Sequence, residues 1–296
     1  MPHALEPAAG AIYDIGYRTY EGLREGRGYA FRTLYFHSLR AAFGLNRGGR
    51  ALWVPWVLFA FACFPAAVQV AASALSAGMA NLISYHDYFD AVRWTVALFC
   101  AAQAPELVSR DQQHRTLPLY FSRPLRTGDY AFAKLLAMWT AVVILVLTPL
   151  LILLVGRLSM QMDFGAALRS ESQFFVPILV TPVLAAVTIG TIALALSSLF
   201  ARRGIATAVA FGAFFMTAPI AEILNETLEG DPKRYAALVN PVNVVQGASL
   251  AVFDKKPGRG DILDVGLGPE VFFGAVAALA VAFTLLLVVR YRRIRT

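Results

Sequence analysis

Long apolar runs without charged residues alternate with short polar segments along most of the chain. Five of these runs hold about 20 residues or more, the length that an α-helix needs to cross the hydrocarbon core of a bilayer. They cover residues 51–72, 135–156, 172–201, 204–221 and 271–289. A sixth run, 94–105, reaches spanning length only if Arg93 extends toward the interface and Glu106 enters the last turn. The pattern predicts an all-α membrane protein with six transmembrane helices, at about 51–72, 91–109, 131–156, 174–201, 204–222 and 271–290.

A shorter segment before the first span is apolar on one helical face only. Within residues 29–45, the i, i+3, i+4 spacing brings together Phe31, Leu34, Tyr35, Leu39, Ala42 and Phe43. Arg32, His37 and Arg40 fall elsewhere on the helix. We expect an amphipathic helix in the cytoplasmic interface, just before the first span. The alternative is a packed helix of a small soluble domain, although the sequence offers no second element of that size to cover it.

The connection between the second and third spans predicts a short helix that lies across the base of both spans. Residues 116–121 are partly apolar, arginines flank them, and Pro124 ends the element. A new helix is expected to begin at Asp129. An element of this shape, placed at 112–128, can be pushed by a protein that docks below it.

The two later connections differ in length. Three residues, 202–204, separate the fourth and fifth spans and predict a tight antiparallel hairpin. Residues 223–270 form a long outer connection that contains a charge-free stretch, 238–253. That stretch is short for a span and contains Asn240 and Pro241, so we expect a re-entrant or interfacial helical segment.

Composition and charge support a membrane protein and give it an orientation. Of the 296 residues, 58% are hydrophobic and 15% are charged, whereas soluble domains carry about 25% charged residues. Basic residues concentrate in alternate connections, which the positive-inside rule assigns to the cytoplasm. We therefore expect both termini to be cytoplasmic, with an N-terminal segment, 1–50, and a transmembrane domain, 51–296. The net charge of +7 follows from this orientation and requires no nucleic-acid partner.

Residues required by several membrane activities are missing from the predicted spans. Intramembrane serine proteolysis needs a histidine at membrane depth, and zinc proteolysis needs HExxH or an equivalent ligand set. All histidines lie outside the predicted spans: His3, His37, His86 and His114. Cys63 and Cys100 lie within spans, where a thiol usually acts as a small hydrophobe, so neither a disulfide nor a metal site is expected.

The placement of charges also bears on transport. Ion-coupled transporters usually carry ionisable residues inside the bundle, whereas here every charge lies at a span end or in a connection. The phosphate-binding motif GxxxxGK[ST] is also missing. We expect a membrane subunit that is not itself an enzyme and has no cofactor of its own. If ATP drives it, a separate subunit binds the nucleotide.

The second-to-third connection reads ELVSRDQQHRTLPLYFSRPLRTGDYAFAKLLA, with acidic residues, a Thr-Leu pair, Arg-Pro, an aromatic and Lys-Leu. This order resembles the ABC type-2 permease family, the membrane-spanning subunits of bacterial ABC exporters. The six predicted spans, the N-terminal amphipathic helix, the tight hairpin and the large outer connection are similar to that family as well. The outer NPVNVVQG resembles the segment before the last span in some members, and the opening IYDIGYRTYEG resembles actinobacterial members.

The resemblance implies a partner arrangement. Two permease subunits, either two copies or a copy and a paralogue, would pair in the lipid of a bacterial plasma membrane. Two ABC ATPase subunits, which hold ATP and Mg²⁺, would dock below. The first, second and fifth spans would line a path between the permeases.

The resemblance also assigns roles to individual residues. Coupling to the ATPase would involve Thr116, Leu117, Leu119, Tyr120, Phe121, Arg123, Arg126, Arg202 and Arg203. The anchors of that element would be Glu106, Asp111 and Arg115. Candidate residues of the substrate path are Phe59, Phe64, Phe99, Phe211, Phe215 and Met216. Two alternatives to these roles remain open. Glu106 and Asp111 could be helix-end charges that pair with Arg110 or Arg115 and have no mechanical role. The aromatic residues assigned to the path could serve only in ordinary helix packing.

The function expected from these observations is ATP-driven export of a lipophilic or amphipathic substrate, because no charge is placed at the middle of a span. An ABC-like permease that does mechanical or regulatory work on the envelope, without moving a solute, is the first alternative. A secondary transporter is the second. Co-purification of an ATPase subunit separates the first two from the third.

Overall fold

The chain folds into a bundle of helices in the computed structural model, which describes residues 26–45, 53–75, 84–114, 116–121, 125–161, 163–258, 261–264 and 266–294. No strand occurs in these ranges. The helices are α1 (Arg27–Ala42), α2 (Trp53–Leu75), α3 (Tyr85–Gln113), α4 (Leu117–Phe121), α5 (Thr127–Ser159), α6 (Phe164–Glu171), α7 (Phe175–Ala185), α8 (Thr191–Ser198), α9 (Arg203–Phe215), α10 (Thr217–Thr227), α11 (Asp231–Arg234), α12 (Pro241–Val252) and α13 (Pro269–Ile294). Most of the predicted segment 1–50 before α1, together with Arg115 and Arg123, lies outside the described residues.

Five helical stretches are long and apolar enough to cross a membrane. They are Trp53–Leu75, Thr127–Ser159, Phe164–Ser198, Arg203–Thr227 and Pro269–Arg293. The third of them is continuous through a 3₁₀ turn, Ser172–Phe174, and a π-helical turn, Ala186–Gly190. These stretches confirm an all-helical protein with several membrane-spanning helices. Most of them extend beyond the predicted bounds, because polar residues at the span ends continue the same helices.

The segment predicted as the second span, 91–109, forms α3, a 29-residue helix that begins at Tyr85. At about 1.5 Å per residue, α3 is about 44 Å long. Because of its polar residues, α3 is not among the five helical stretches that length and hydropathy identify as candidate spans. The helix nevertheless occupies the centre of the bundle and contacts α2, α5, α8, α9 and α12. A helix enclosed by other helices faces little lipid. It can therefore be deeply buried in the bundle even though its mean hydropathy is low.

Helix α1 packs along α5. Arg27 pairs with Asp129, the rings of Phe31 and Phe132 are 6.2 Å apart, and the Tyr35 hydroxyl lies 3.0 Å from Thr140 Oγ1. Residue numbers rise together along both helices, so the two run in the same direction. The predicted apolar face is the packed face, with Leu34, Ala42 and Phe43 buried. Gly44, at φ 73°, ends the helix in the left-handed conformation that glycine adopts readily.

One end of the bundle carries the short connections. Helix α8 ends at Ser198 and α9 begins at Arg203, which agrees with the predicted hairpin. Helix α4 lies at the same end, between the last turn of α3 and the first turn of α5. We call this end the base; it is formed by the described residues within 106–114, 116–121, 125–134, 197–203 and 290–293.

The opposite end contains the long connection 223–270. Within it, α12 forms at Pro241–Val252, inside the predicted helical stretch, and Asn240 caps it by accepting a hydrogen bond from the Val242 backbone N–H. Residues 242–249 are buried against α3, α7 and α13. At 12 residues, α12 is too short to cross a bilayer alone.

Candidate functional site at the base of the bundle

Asp111, near the end of α3, joins three elements at the base. Its Oδ2 lies 2.8 Å from Lys134 Nζ and accepts a hydrogen bond of 2.7 Å from the Tyr130 hydroxyl. Both partners belong to the first turns of α5. The Asp111 backbone carbonyl accepts hydrogen bonds from the backbone N–H and the hydroxyl of Thr116, the residue before α4. One residue therefore holds the start of α4 and the start of α5.

The ion pair at Asp111 is largely removed from water. The side chain of Lys134 is 4% exposed and that of Asp111 is 16% exposed. The Lys134 ammonium group also lies 5.4 Å from the centre of the Tyr130 ring. A buried charge is stable only when it is paired and hydrogen-bonded, and these contacts supply both conditions.

Aromatic rings extend the site from α4 to the last helix. The Tyr120 and Tyr130 ring centroids are 5.6 Å apart, and those of Tyr130 and Tyr291 are 4.9 Å apart, edge to face. Leu117 and Leu125 are buried on either side of the connection. Ring contacts thus connect α4 to α5, and α5 to the end of α13.

The last turn of α8 is fixed to its neighbours through backbone carbonyls. Ser109 Oγ donates to the Ser197 carbonyl at 2.9 Å, and Gln112 Nε2 donates to the Ser198 carbonyl at 2.8 Å. Arg290 Nε, from α13, donates to the same Ser198 carbonyl at 3.4 Å. Carbonyls at a helix end need external donors, and here two other helices supply them.

Glu106 pairs with Arg203 of α9. The carboxylate side chain is 2% exposed, whereas the Arg203 side chain is 55% exposed. Sequence reasoning considered Arg110 or Arg115 as the partners of Glu106 and Asp111. Arg115 lies outside the described residues. Among those described, the ion pairs of Glu106 and Asp111 are made with α9 and α5, because these helices pack against α3.

The residues predicted to couple to an ATPase occupy the base but differ in exposure. Leu117 is buried, Tyr120 is partly buried, and Leu119 is 68% exposed. Phe121 is the last residue of α4. Arg126, Arg202 and Arg203 are exposed. The structure thus gathers the described members of this set at one end and leaves the apolar side chain of Leu119 exposed on α4.

The predicted path residues do not share one environment. Phe99 is completely buried, with its ring 6.0 Å from Phe43 of α1, so it belongs to the core of this subunit. Phe59 is partly buried and packs against the same core. By contrast Phe64, Met216 and Phe211 are exposed.

The α9 aromatics are joined to α3. Phe211 and Phe215 are stacked with centroids 4.2 Å apart, and Phe215 lies 5.2 Å from Trp94. Trp94 was not predicted as a site residue. The sequence does not indicate which neighbouring helix a tryptophan within an apolar run will contact.

Sequence reasoning also missed Tyr130, Tyr291, Ser109 and Gln112 at the base. Their contacts join residues 19 to 179 positions apart in the chain, so no local spacing reveals them. Lys134 is likewise not among the predicted site residues. Asp111, predicted to be an anchor of the coupling element, contacts Thr116 before α4 and Tyr130 and Lys134 in α5.

The long apolar helices and the polar base define a multi-pass membrane protein. At one end of it, the connecting segments are joined to one another by ion pairs, hydrogen bonds and ring contacts. The family model described as "ABC-2 family transporter protein" matches residues 49–293. The chain therefore belongs to the ABC-2 transporter family, as a membrane permease that is associated with an ATP-binding subunit. The comparison with curated proteins found no match.

Proposed function

We propose that this permease exports a lipophilic or amphipathic substrate, driven by ATP hydrolysis in two separate subunits that dock at the base. Two permease subunits pair, and both termini of each face the cytoplasm of a bacterium. The observation that carries the proposal is the Asp111 contact set, which fixes α4 between α3 and α5.

The exposed side of α4 is the proposed contact with the ATPase. Leu119 presents an apolar side chain away from the bundle, while Arg126 and Arg202 add positive charge nearby at the base. Tyr120 and Leu117 connect α4 to the bundle by packing. Closure of the ATPase subunits presses α4, and the Asp111 contacts pass that motion to α3 and α5.

Helix α3 is the proposed sixth membrane span. Its length exceeds the thickness of the hydrocarbon core, and its contacts with α2, α5, α8 and α9 place it among helices that are apolar enough to span. The charged residues of α3 lie toward its two ends, where they reach polar surroundings.

The charges of the described spans support an apolar or amphipathic substrate. Each charged residue lies toward a helix end, as Glu106 and Arg203 do at the base. The middle of the described spans therefore offers no charged side chain that could bind a small ion. The stacked aromatics Phe211 and Phe215, with the exposed Phe64, offer a surface for such a substrate. Phe99 is left out of the proposed path because it packs inside the subunit.

The test is a triple variant of the coupling helix, Leu119→Ala, Tyr120→Ala and Phe121→Ala, purified with its ATPase and reconstituted in vesicles. We expect normal membrane insertion, loss of transport, and loss of the dependence of ATPase activity on substrate. The matched control, Phe164→Ala with Leu168→Ala, removes exposed apolar side chains from α6 at the opposite end of the bundle. That control should transport normally.

Unchanged transport in the triple variant would overturn the role of α4. A wild-type complex that hydrolyses ATP but moves neither lipids nor lipophilic dyes would assign the protein to mechanical or regulatory work instead. If no ATPase subunit co-purifies with the permease, the coupling mechanism fails as a whole.

A further inference from the structure

The outward face of α1 carries a positive and aromatic surface that the proposed transport mechanism does not use. A shallow groove of about 620 Å³ follows this face and is lined by Tyr29, Arg32, Thr33, Phe36, His37 and Arg40. All six residues belong to one side of one helix. The opposite side of α1 packs on α5.

The charge of this face is unbalanced. Helix α1 contains no acidic residue. Arg27, at its start, is neutralised by Asp129, whereas Arg32 and Arg40 form no ion pair with the described part of the chain. Burial, followed by the nearby charge of Lys134, lowers the pKa of His37. At neutral pH the positive charge therefore comes from the two arginines.

Helix α1 is positioned where the chain enters the bilayer. Its C-terminal Phe43 lies 6.2 Å from Trp56, in the first turn of α2. Trp53 and Trp56 are 69% and 44% exposed at the start of this candidate span. Tryptophan is typical of the level of the lipid headgroups. Arg27, at the start of α1, pairs with Asp129 in the first turn of α5 at the base. We therefore place the groove on α1 beside the headgroup layer.

We propose that Arg32 and Arg40 bind the phosphate groups of anionic phospholipid headgroups, with Tyr29 and Phe36 packing against the glycerol and upper acyl region. Both aromatic side chains are about half exposed, at 48% and 55%. The occupant is a lipid because the face combines positive charge with aromatic surface at the membrane boundary, the combination that favours interfacial anionic lipid. The site is a specific lipid contact and does not depend on the identity of the transported substrate.

The experiment uses the purified full-length chain in detergent, equilibrated with equal amounts of phosphatidylglycerol and phosphatidylcholine and then washed. Mass spectrometry gives the ratio of the two lipids that stay bound. We expect the wild type to retain phosphatidylglycerol preferentially, and Arg32→Gln with Arg40→Gln to reduce that preference about thirtyfold. Arg32→Lys with Arg40→Lys should keep most of it, because a lysine pair preserves the charge.

The control is Arg169→Gln, which removes an exposed arginine from α6 at the opposite end of the bundle. It should leave the lipid ratio unchanged. Equal ratios in the wild type and the double glutamine variant would overturn the proposal, and so would an equal loss in the Arg169 control. If the double variant does not elute as a folded protein, each single variant is measured, with an expected loss of about fivefold.

A protein occupant would give a different result. In that case the glutamine variant would keep its phosphatidylglycerol and lose an acidic protein that co-purifies with the wild type. That outcome also overturns the lipid site.

Discussion

Lys134 and Asp111 form a buried ion pair, 2.8 Å from Nζ to Oδ2, that joins the third helix of the protein to its fifth. The pair is completed by the Tyr130 hydroxyl, which donates to the same carboxylate oxygen. In the proposed mechanism, a force on α4 reaches this pair through the contact of Asp111 with Thr116, the residue before α4. Stability and the proposed coupling therefore depend on the same two side chains.

Removing one member of this pair should destabilise the protein more than removing both. Asp111→Asn leaves the Lys134 ammonium group buried without its counter-charge, at an expected cost of about 3 kcal/mol in the free energy of unfolding. Asp111→Asn combined with Lys134→Met removes both charges and should recover most of that loss. Thermal unfolding in detergent measures both variants.

The double variant also separates stability from coupling. If the ion pair transmits motion, Asp111→Asn with Lys134→Met should be stable but should show weaker substrate stimulation of the ATPase. A double variant as unstable as Asp111→Asn would contradict the buried-charge argument. Normal stimulation in a stable double variant would contradict the transmitting role.

A second prediction concerns the pair between Glu106 and Arg203. Arg203→Gln removes this cationic partner from a carboxylate that is only 2% exposed, so α9 should be held less firmly against α3. We expect a loss of about 1–2 kcal/mol, moderated because the arginine is half in solvent. The expected observable is a lower unfolding temperature of the purified permease.

The neighbouring arginine provides the control. Arg202 is exposed and forms no ion pair with the described residues, so Arg202→Gln should leave the unfolding temperature unchanged. Its proposed role is contact with the ATPase, and its effect should appear in the affinity for that subunit. Equal destabilisation by both substitutions would show that the Glu106 pair contributes nothing specific.

The sequence predicts the helices of this protein better than the contacts between them. Apolar length and helical spacing are local properties, so the five candidate spans, α1 and the tight α8–α9 hairpin follow from them. The burial of α3 does not, because a helix surrounded by protein keeps polar residues that lower its hydropathy. Phe99 illustrates the same limit: its ring packs on Phe43, and nothing in an apolar run distinguishes a core phenylalanine from one that lines a path.

Pairing partners are also hidden from the sequence. Asp111 and Glu106 lie among nearby arginines, and local spacing favours those as partners. Packing of α3 against α5 and α9 brings Lys134 to Asp111 and Arg203 to Glu106. The Ser197 and Ser198 carbonyls are backbone groups, so residue type gives no indication that Ser109 and Gln112 bind them.

A third prediction tests the link between α1 and the base. Asp129 accepts from Arg27 Nε at 2.7 Å and from Arg27 Nη2 at 2.5 Å, and it also accepts from the Arg126 backbone N–H at 3.0 Å. Asp129→Ala therefore removes both an inter-helix pair and the cap of α5, whereas Arg27→Ala removes only the pair. The first variant should unfold at a clearly lower temperature than the second.

Asparagine separates the two roles of Asp129. Asp129→Asn can still accept from the Arg126 N–H but has lost the charge that binds Arg27. Its unfolding temperature should lie between those of Asp129→Ala and wild type, close to that of Arg27→Ala. If Arg27→Ala lowers the unfolding temperature as much as Asp129→Ala does, the cap contributes little to stability. The stabilising effect of Asp129 then comes mainly from its ion pair with Arg27.

The last prediction concerns the close approach of α12 and α13 at the opposite end of the bundle. A Cβ built on Gly247 would overlap the ring of Phe272, which is 4% exposed and has little room to turn. Gly247→Ala should therefore force the two helices apart, at an expected cost of about 1–3 kcal/mol. Gly247→Ala with Phe272→Leu makes space for the added methyl group and should regain part of the stability. The unfolding temperatures of the two variants, compared with Phe272→Leu alone, measure this effect. A Gly247→Ala protein as stable as the wild type would show that α12 is free to shift away from α13.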